Sequence, residues 1–345
     1  MAQGRAFDST GGKRVTNLCV SNICNLSCPF CFADSYLNKQ RNGRLTFITL
    51  QDYETRLDFL LHYGVDTARL IGGEPTLHPQ FDRLLTLARK RNLKITIFSH
   101  GLIREIALQA LLNLPPHVCN VLVNMNATRG TDLPTGDEHK RRANVLKRLG
   151  PCVKLGYTIW HADFDLRPLF DLVAETDCDH SIRLGLAQPM ASGENLYLHP
   201  RHYASVGRRI VQFAMEAATR GINLSFDCGF VPCMFDQEAQ NLLVESGTNL
   251  AWNCSPVLDI GLEGEVIHCF PLTGQVQTAF DPGRSRGEIT DHLRRQAELY
   301  RPLGLYRRCR DCRYWEQGIC AGGCLAHTVK RMHREEVHIS YPYVV

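Results

Sequence analysis

The sequence predicts an α/β chain: a parallel sheet built from six strand–helix units, followed by a smaller cysteine-rich α+β domain. Three observations carry this. Short β-rich runs alternate with longer helical runs from residue 15 to residue 187. The alternation stops near residue 192. Eight of the fifteen cysteines lie beyond that point.

The elements follow in order. V-T-N-L-C-V (15–20) is strand-like, and residues 50–63 carry apolar side chains at helical spacing, with Gly64 suited to the C-terminal cap. T-A-R-L-I (67–71) is the second strand and runs into a glycine pair. Helices at 81–91, 103–112, 139–149 and 166–176 then alternate with strands at 94–99, 119–125, 152–160 and 180–187. Such alternation requires right-handed parallel crossovers, so the sheet is either doubly wound or a barrel. In both cases active residues belong at the C-terminal ends of the strands. Gly72-Gly73 and Ser99-His100-Gly101 fall there. Residues 199–220 read as a long helix, and short strands and turns follow. The expected division is a first domain at 1–192, a connecting helix and strand at 193–226, a cysteine-rich domain at 227–335 and a tail at 336–345.

The 345 residues are 44% hydrophobic and 21% charged, which fits a globular chain with a sizeable core. A net charge of +4 is too mild to imply a nucleic-acid partner. The basic run at 139–149 has no interleaved aromatic residue and reads as a solvated helix face. The N-terminus lacks an apolar signal core, and no apolar run approaches the ~20 residues of a membrane span, so no membrane association and a cytoplasmic location are expected.

In a reducing compartment, clustered cysteines point to metal. Cys19, Cys119, Cys152 and Cys178 stand alone and read as small buried hydrophobes. Cys24, Cys28 and Cys31 share one loop, C-N-L-S-C-P-F-C, with Phe30 before the last. Three thiolates are one short of a tetrahedral zinc site. On a four-iron cubane they leave one iron open, and an open iron can bind a small chelating molecule.

This pattern resembles the radical S-adenosylmethionine (SAM) superfamily, whose hallmark is Cys-x3-Cys-x-aromatic-Cys after the first strand. A second mark, Gly-Gly-Glu-Pro, appears as Gly72, Gly73, Glu74 and Pro75. The resemblance covers roughly residues 15–190 and implies a partial (β/α)6 TIM-like barrel. It implies a [4Fe–4S] cluster on Cys24, Cys28 and Cys31, with the Gly-Gly-Glu-Pro segment at the methionine amino group of SAM. Glycines permit close backbone approach, and Glu74 can pair with an ammonium. Ser99 is a candidate ribose contact; His100 departs from the Thr-Asn-Gly of many relatives. Asn124, Asn126 and the sixth-strand end near Ala187 are further candidates for the SAM pocket.

The C-terminal cysteines are similar to the SPASM extension of such enzymes. Cys254, Gly264 and Cys269 match its hairpin, and Cys309, Cys312, Cys320 and Cys324 match its later set. The third spacing is seven rather than five, and no cysteine follows Cys324. The resemblance groups the hairpin pair with Cys324, and Cys309, Cys312 and Cys320 with each other, each set one ligand short. Cys228 and Cys233 are the expected replacements, giving two auxiliary [4Fe–4S] clusters; the rival is a single auxiliary cluster.

The implied activity is reductive cleavage of SAM to a 5′-deoxyadenosyl radical, which takes hydrogen from a peptide or protein, or from a small molecule. An external electron donor such as flavodoxin or ferredoxin is implied. Peptide modifiers of this kind commonly carry a leader-binding domain before the barrel, and none is expected in the roughly two dozen residues before Cys24. Phe270 stands where sulfatase maturases have an aspartate, which argues against that activity. Asp227, His268 and His100 are candidate acid/base groups. The alternative class is a non-catalytic iron–sulfur protein that transfers electrons or scaffolds clusters.

Overall fold

The computed structural model describes residues 16–40, 46–128, 133–250, 252 and 254–337. Strand β1 (Asn17–Ser21) leads into the cysteine loop and a short helix α1 (Asp34–Gln40), which the sequence reading did not anticipate. The units then run α2 (Leu50–His62), β2 (Thr67–Gly72), α3 (Phe81–Lys90), β3 (Lys94–Ser99), α4 (Glu105–Leu112) and β4 (Cys119–Asn124). They continue with α5 (Gly136–Leu149), β5 (Val153–Ile159), α6 (Arg167–Thr176) and β6 (Ser181–Leu186). All six strands pair in parallel in sequence order.

The sheet is longer than six strands. Helix α7 (Tyr203–Thr219) is preceded by a 3-10 turn starting at Pro200, whose fixed φ suits a first helical position. It delivers β7 (Asn223–Phe226), which pairs in parallel with β6. After α8 (Gln237–Glu245), β8 (Asp259–Ile260) pairs in parallel with the other edge of β1. Strands β9 (Glu265–Ile267) and β10 (Gln277–Ala279) extend that edge in antiparallel fashion. Helices α9 (Arg286–Glu298), α10 (Arg313–Glu316) and α11 (Leu325–Val337) complete the chain. The cysteine-rich region therefore continues the sheet of the first half.

The sheet curls into a partial barrel. The guanidinium carbons of Arg69 on β2 and Arg183 on β6 lie 4.8 and 5.7 Å from the ring centre of Phe98 on β3. In a flat sheet at ~4.8 Å per strand, β3 and β6 would stand about 14 Å apart. Outward positions such as Leu70, Ile97, Val121, Leu155 and Leu184 are fully buried beneath the helices. Burying each such side chain stabilises the fold by ~1.5–3 kcal/mol. Inward positions such as Arg69, Phe98, Leu122, Thr158 and Arg183 are only half-buried, so the lumen is not packed shut.

Local signals are honoured. After α2, Val65 N–H donates to Leu60 O and Gly64 N–H to Leu61 O, with Gly64 at φ +66°, a Schellman cap. Cys19, Cys119 and Cys178 are buried as expected, whereas Cys152 is half-buried. One expectation fails. Lys140, Arg141 and Lys147 of the basic run are exposed, but Arg142 is fully buried. It shares the inward face of α5 with Val145 and Leu146, at helical spacing.

Candidate functional site

The cysteine loop and the Gly-Gly-Glu-Pro segment are joined through their backbones. Gly73 N–H donates to Ser21 O (2.7 Å) and Glu74 N–H to Ile23 O (2.8 Å). A Cβ on Gly73 would lie 2.3 Å from Ile23 O, and one on Gly72 2.0 Å from Ser21 O. Only glycine permits this contact. The loop is closed at its far end by Cys31 N–H donating to Cys28 O (3.0 Å), and Phe30 stacks on Trp160 (6.1 Å).

Glu74 lies at the centre, with no exposed surface. Its Oε1 accepts from Thr76 N–H (3.2 Å) and Thr76 Oγ1 (2.7 Å). Its Oε2 accepts from Ser99 Oγ (3.2 Å) and His100 N–H (3.0 Å). Both oxygens are thus engaged within the chain. Leu102 N–H donates to His100 Nδ1 (3.0 Å), which puts the ring proton of the neutral imidazole on Nε2. Nε2 faces Asn25 Oδ1 (2.8 Å) and Glu74 Oε2 (3.2 Å). His100 therefore ties the cysteine loop to Glu74, and burial lowers its pKa despite that carboxylate. Asn126 is buried and clasps Thr158 on β5 through both amide ends. Asn124 is half-buried at the end of β4.

Arg142 completes this region. One Nη donates to Asn124 O (2.8 Å) and Asn126 O (3.1 Å), and the other pairs with Glu138 (2.7 Å). Its Nε is buried without a partner among the described residues. Its charge acts on the Cys28 thiol, partly offsetting the burial that raises it. Burial pushes the Cys31 thiol up to about 12, and Cys28 and Cys24 add to this; the amide N–H of Ala33 pulls the other way. The three half-buried thiols thus feel one another.

The C-terminal cysteines fall into two electrostatic groups. Cys228, Cys254, Cys269 and Cys324 act on one another. Cys233, Cys309, Cys312 and Cys320 do likewise. Burial is the first cause of the upward shifts, which take Cys324 to about 12 and Cys233 to about 11. Cys228 and Cys233 are nevertheless exposed residues. Amide N–H groups of Gly322 and Gly323 point at the Cys320 sulfur, and those of Ala326 and His327 at Cys324, as thiolate acceptors require. Among the described residues no three His, Cys, Asp or Glu side chains converge on a single ion-sized position.

Two acid/base candidates sit in contrasting surroundings. Asp227 pairs with Arg183 (2.6 Å). His268 is sealed, both ring nitrogens lack partners among the described residues, and burial pushes its pKa down to about 3. Phe270 is buried against Tyr36 (5.0 Å). Asn25, Arg142, Arg69 and Arg183 were not singled out from sequence. Arg142 alone left a signal there, a cation in register with the apolar face of its helix. No described helix is long and apolar enough to cross a membrane.

Comparison with known proteins agrees with this arrangement. A curated S-adenosylmethionine-dependent nucleotide dehydratase from Thermoplasmatales archaeon (strain ISO4-H5) is 35% identical over 88 residues, 26% of this chain and 29% of that protein. A GTP 3′,8-cyclase from Actinobacillus pleuropneumoniae serotype 5b is 26% identical over 144 residues, 41% of each. The chain thus matches well under half the length of either relative. In fold it is similar to native anSMEcpe with bound AdoMet (TM-score 0.64, 18% identity, covering 90% of this chain and 88% of that one). It is likewise similar to Streptococcus suis SuiB bound to precursor peptide SuiA (TM-score 0.65, 17% identity, 91% and 72%). The model of the radical SAM superfamily matches residues 18–155 of this chain, the span that carries the cysteine loop and Gly72-Gly73-Glu74-Pro75.

Proposed function

We propose that the chain is a radical SAM enzyme with two auxiliary iron–sulfur clusters. The observation that carries this reading is the fusion of a three-thiol loop to a glycine pair with no room for a side chain. Cys24, Cys28 and Cys31 would hold three irons of a [4Fe–4S] cluster, leaving the fourth for SAM. Because Glu74 is saturated, its role is to fix the segment, and the backbone of Gly72 and Gly73 faces the ligand. Arg142, buried near Cys28 with Nε unpaired, suits the SAM carboxylate. Ser99 and Asn126 are engaged with protein groups and are assigned to positioning. Asn124 keeps its place as a candidate contact.

When bound, the cluster and SAM supply one-electron cleavage chemistry whose adenosyl product takes a hydrogen atom from substrate. The chain's own part is to orient SAM between the loop and the Gly72-Gly73 backbone and to present substrate from the lumen. Cys228 with Cys254, Cys269 and Cys324, and Cys233 with Cys309, Cys312 and Cys320, are the proposed auxiliary ligand sets. The substrate is a peptide or protein, or a small molecule, and reduction comes from an external flavodoxin- or ferredoxin-type donor. Anaerobic incubation with SAM and dithionite tests the reading. Wild-type protein should release 5′-deoxyadenosine and Cys24→Ala should not. Equal, background-level product from both would mark a non-catalytic iron–sulfur protein instead.

A further inference from the structure

Inside the barrel, Arg69 and Arg183 approach one aromatic ring from strands four apart. The Arg183 guanidinium is matched, with Nη2 2.6 Å from Asp227 Oδ1. The side chain of Arg69 makes no hydrogen bond or ion pair among the described residues; its contact is the Phe98 ring at 4.8 Å. A guanidinium carries five donors, and with no protein acceptor those of half-buried Arg69 are left for water or a ligand. We propose that Arg69, set on Phe98 beside the Arg183–Asp227 pair, forms a lumen subsite that binds a carboxylate of the substrate.

Space, charge and position agree. Gly185 and Gly156 occupy lumen-facing positions on adjacent strands. Gly156 pairs in register with Arg183, and a Cβ on Gly185 would meet only Asp227 Oδ2, at 3.9 Å. Strand glycines of this kind admit a ligand. Asp259, the other nearby carboxylate, is held by Asn17 (2.6 Å) and the Phe270 N–H (2.8 Å). Asp227 is paired with Arg183 and Asp259 with Asn17 and the Phe270 N–H, so both carboxylates act on Arg69 from a distance and neither gives its guanidinium a hydrogen-bond acceptor. The planar fork of arginine fits a carboxylate through two parallel hydrogen bonds. Burial and the neighbouring Arg183 lower the pKa of Arg69 to about 10, so it remains a cation at neutral pH. Arg69 lies three residues before Gly72 on β2, about 10 Å along the strand at ~3.3 Å per residue. A substrate anchored there would reach up toward the cysteine loop.

The inference rests on the radical SAM reading for its use, but its test does not depend on turnover. Reconstituted protein, saturated with SAM and free of reductant, is titrated calorimetrically with glutarate, with acetyl-Gly-Glu-Gly-amide and with inorganic pyrophosphate. Arg69→Met is expected to weaken binding of the carboxylates about tenfold or more, with Arg69→Lys in between. Iron content and circular dichroism should match wild type. Tighter binding of the tripeptide assigns the carboxylate to a peptide substrate, and tighter binding of glutarate to a small acid; either supports the subsite. Pyrophosphate binding tighter than both, no carboxylate binding by wild type, or carboxylate binding unchanged in folded Arg69→Met would overturn it. Carboxylate binding through Arg69 by a protein that forms no 5′-deoxyadenosine would leave the subsite standing and remove the radical reading alone.

Discussion

The carboxylate of Glu74 accepts from three side-chain or backbone neighbours that come from two strand ends, and His100 carries the link onward to Asn25 in the cysteine loop. A buried carboxylate without these donors would carry a large desolvation cost. Replacing His100 by leucine removes the imidazole link and leaves Asn25 and Glu74 each short of one donor. A loss of about 1–3 kcal/mol is expected. The midpoint of urea unfolding of the reconstituted protein checks this, and an unchanged midpoint would deny His100 its tethering role. Gly73→Ala acts differently. Its Cβ, 2.3 Å from Ile23 O, must push the cysteine loop away from β2. Iron content should fall by about four atoms per chain, the content of one cubane, while the C-terminal clusters remain.

Helix α5 shows how one turn of a helix reaches into a site. Its exposed face carries Lys140, Arg141 and Lys147, and its inner face carries Arg142 among core side chains. The i,i+4 partner Glu138 and two carbonyls at the end of β4 hold the guanidinium in place. Arg142→Met keeps length and apolar packing but removes the charge. SAM affinity of the unreduced holoenzyme should drop about tenfold or more, as for a lost charge-assisted hydrogen bond. Equilibrium dialysis measures this. Unaltered affinity, or a loss accompanied by reduced helix content, would assign Arg142 to the fold instead.

Across the molecule, one sheet carries both halves of the chain, because β8 pairs with β1 and β7 with β6. Cys228 thereby follows Asp227 at the end of β7, and Cys254 and Cys269 flank the start of β8, where Asp259 pairs with Asn17, the first residue of β1. Thiolate ligation couples such a region to metal. Three cubanes correspond to about 12 iron atoms and two to about 8. The wild-type chain should reach the higher number on anaerobic reconstitution. Cys228→Ser and Cys233→Ser should each lose the iron of a different cluster, and the double variant should retain about four atoms. A wild-type count near eight, unaffected by either substitution, would deny these two cysteines their assigned places.

The six strand–helix units, the glycine cap of α2 and the three-cysteine loop were all legible in the chain, because each depends on local spacing. Periodicities of two and 3.6 residues and short thiol intervals need no knowledge of distant neighbours. The positions of Gly72 and Gly73 at a strand end were equally local. Other features depended on which segments meet. That β7 and β8 join the sheet, that Cys228 and Cys233 enter different thiol groups, and that Arg142 turns inward could not be read from spacing alone. Nor could the meeting of Arg69 and Arg183 over Phe98, since those residues are separated by two or more strands' worth of chain and are united by curvature of the sheet. Local propensity fixes an element's type and its apolar face, whereas strand order and curl decide which half-buried polar side chains share a space.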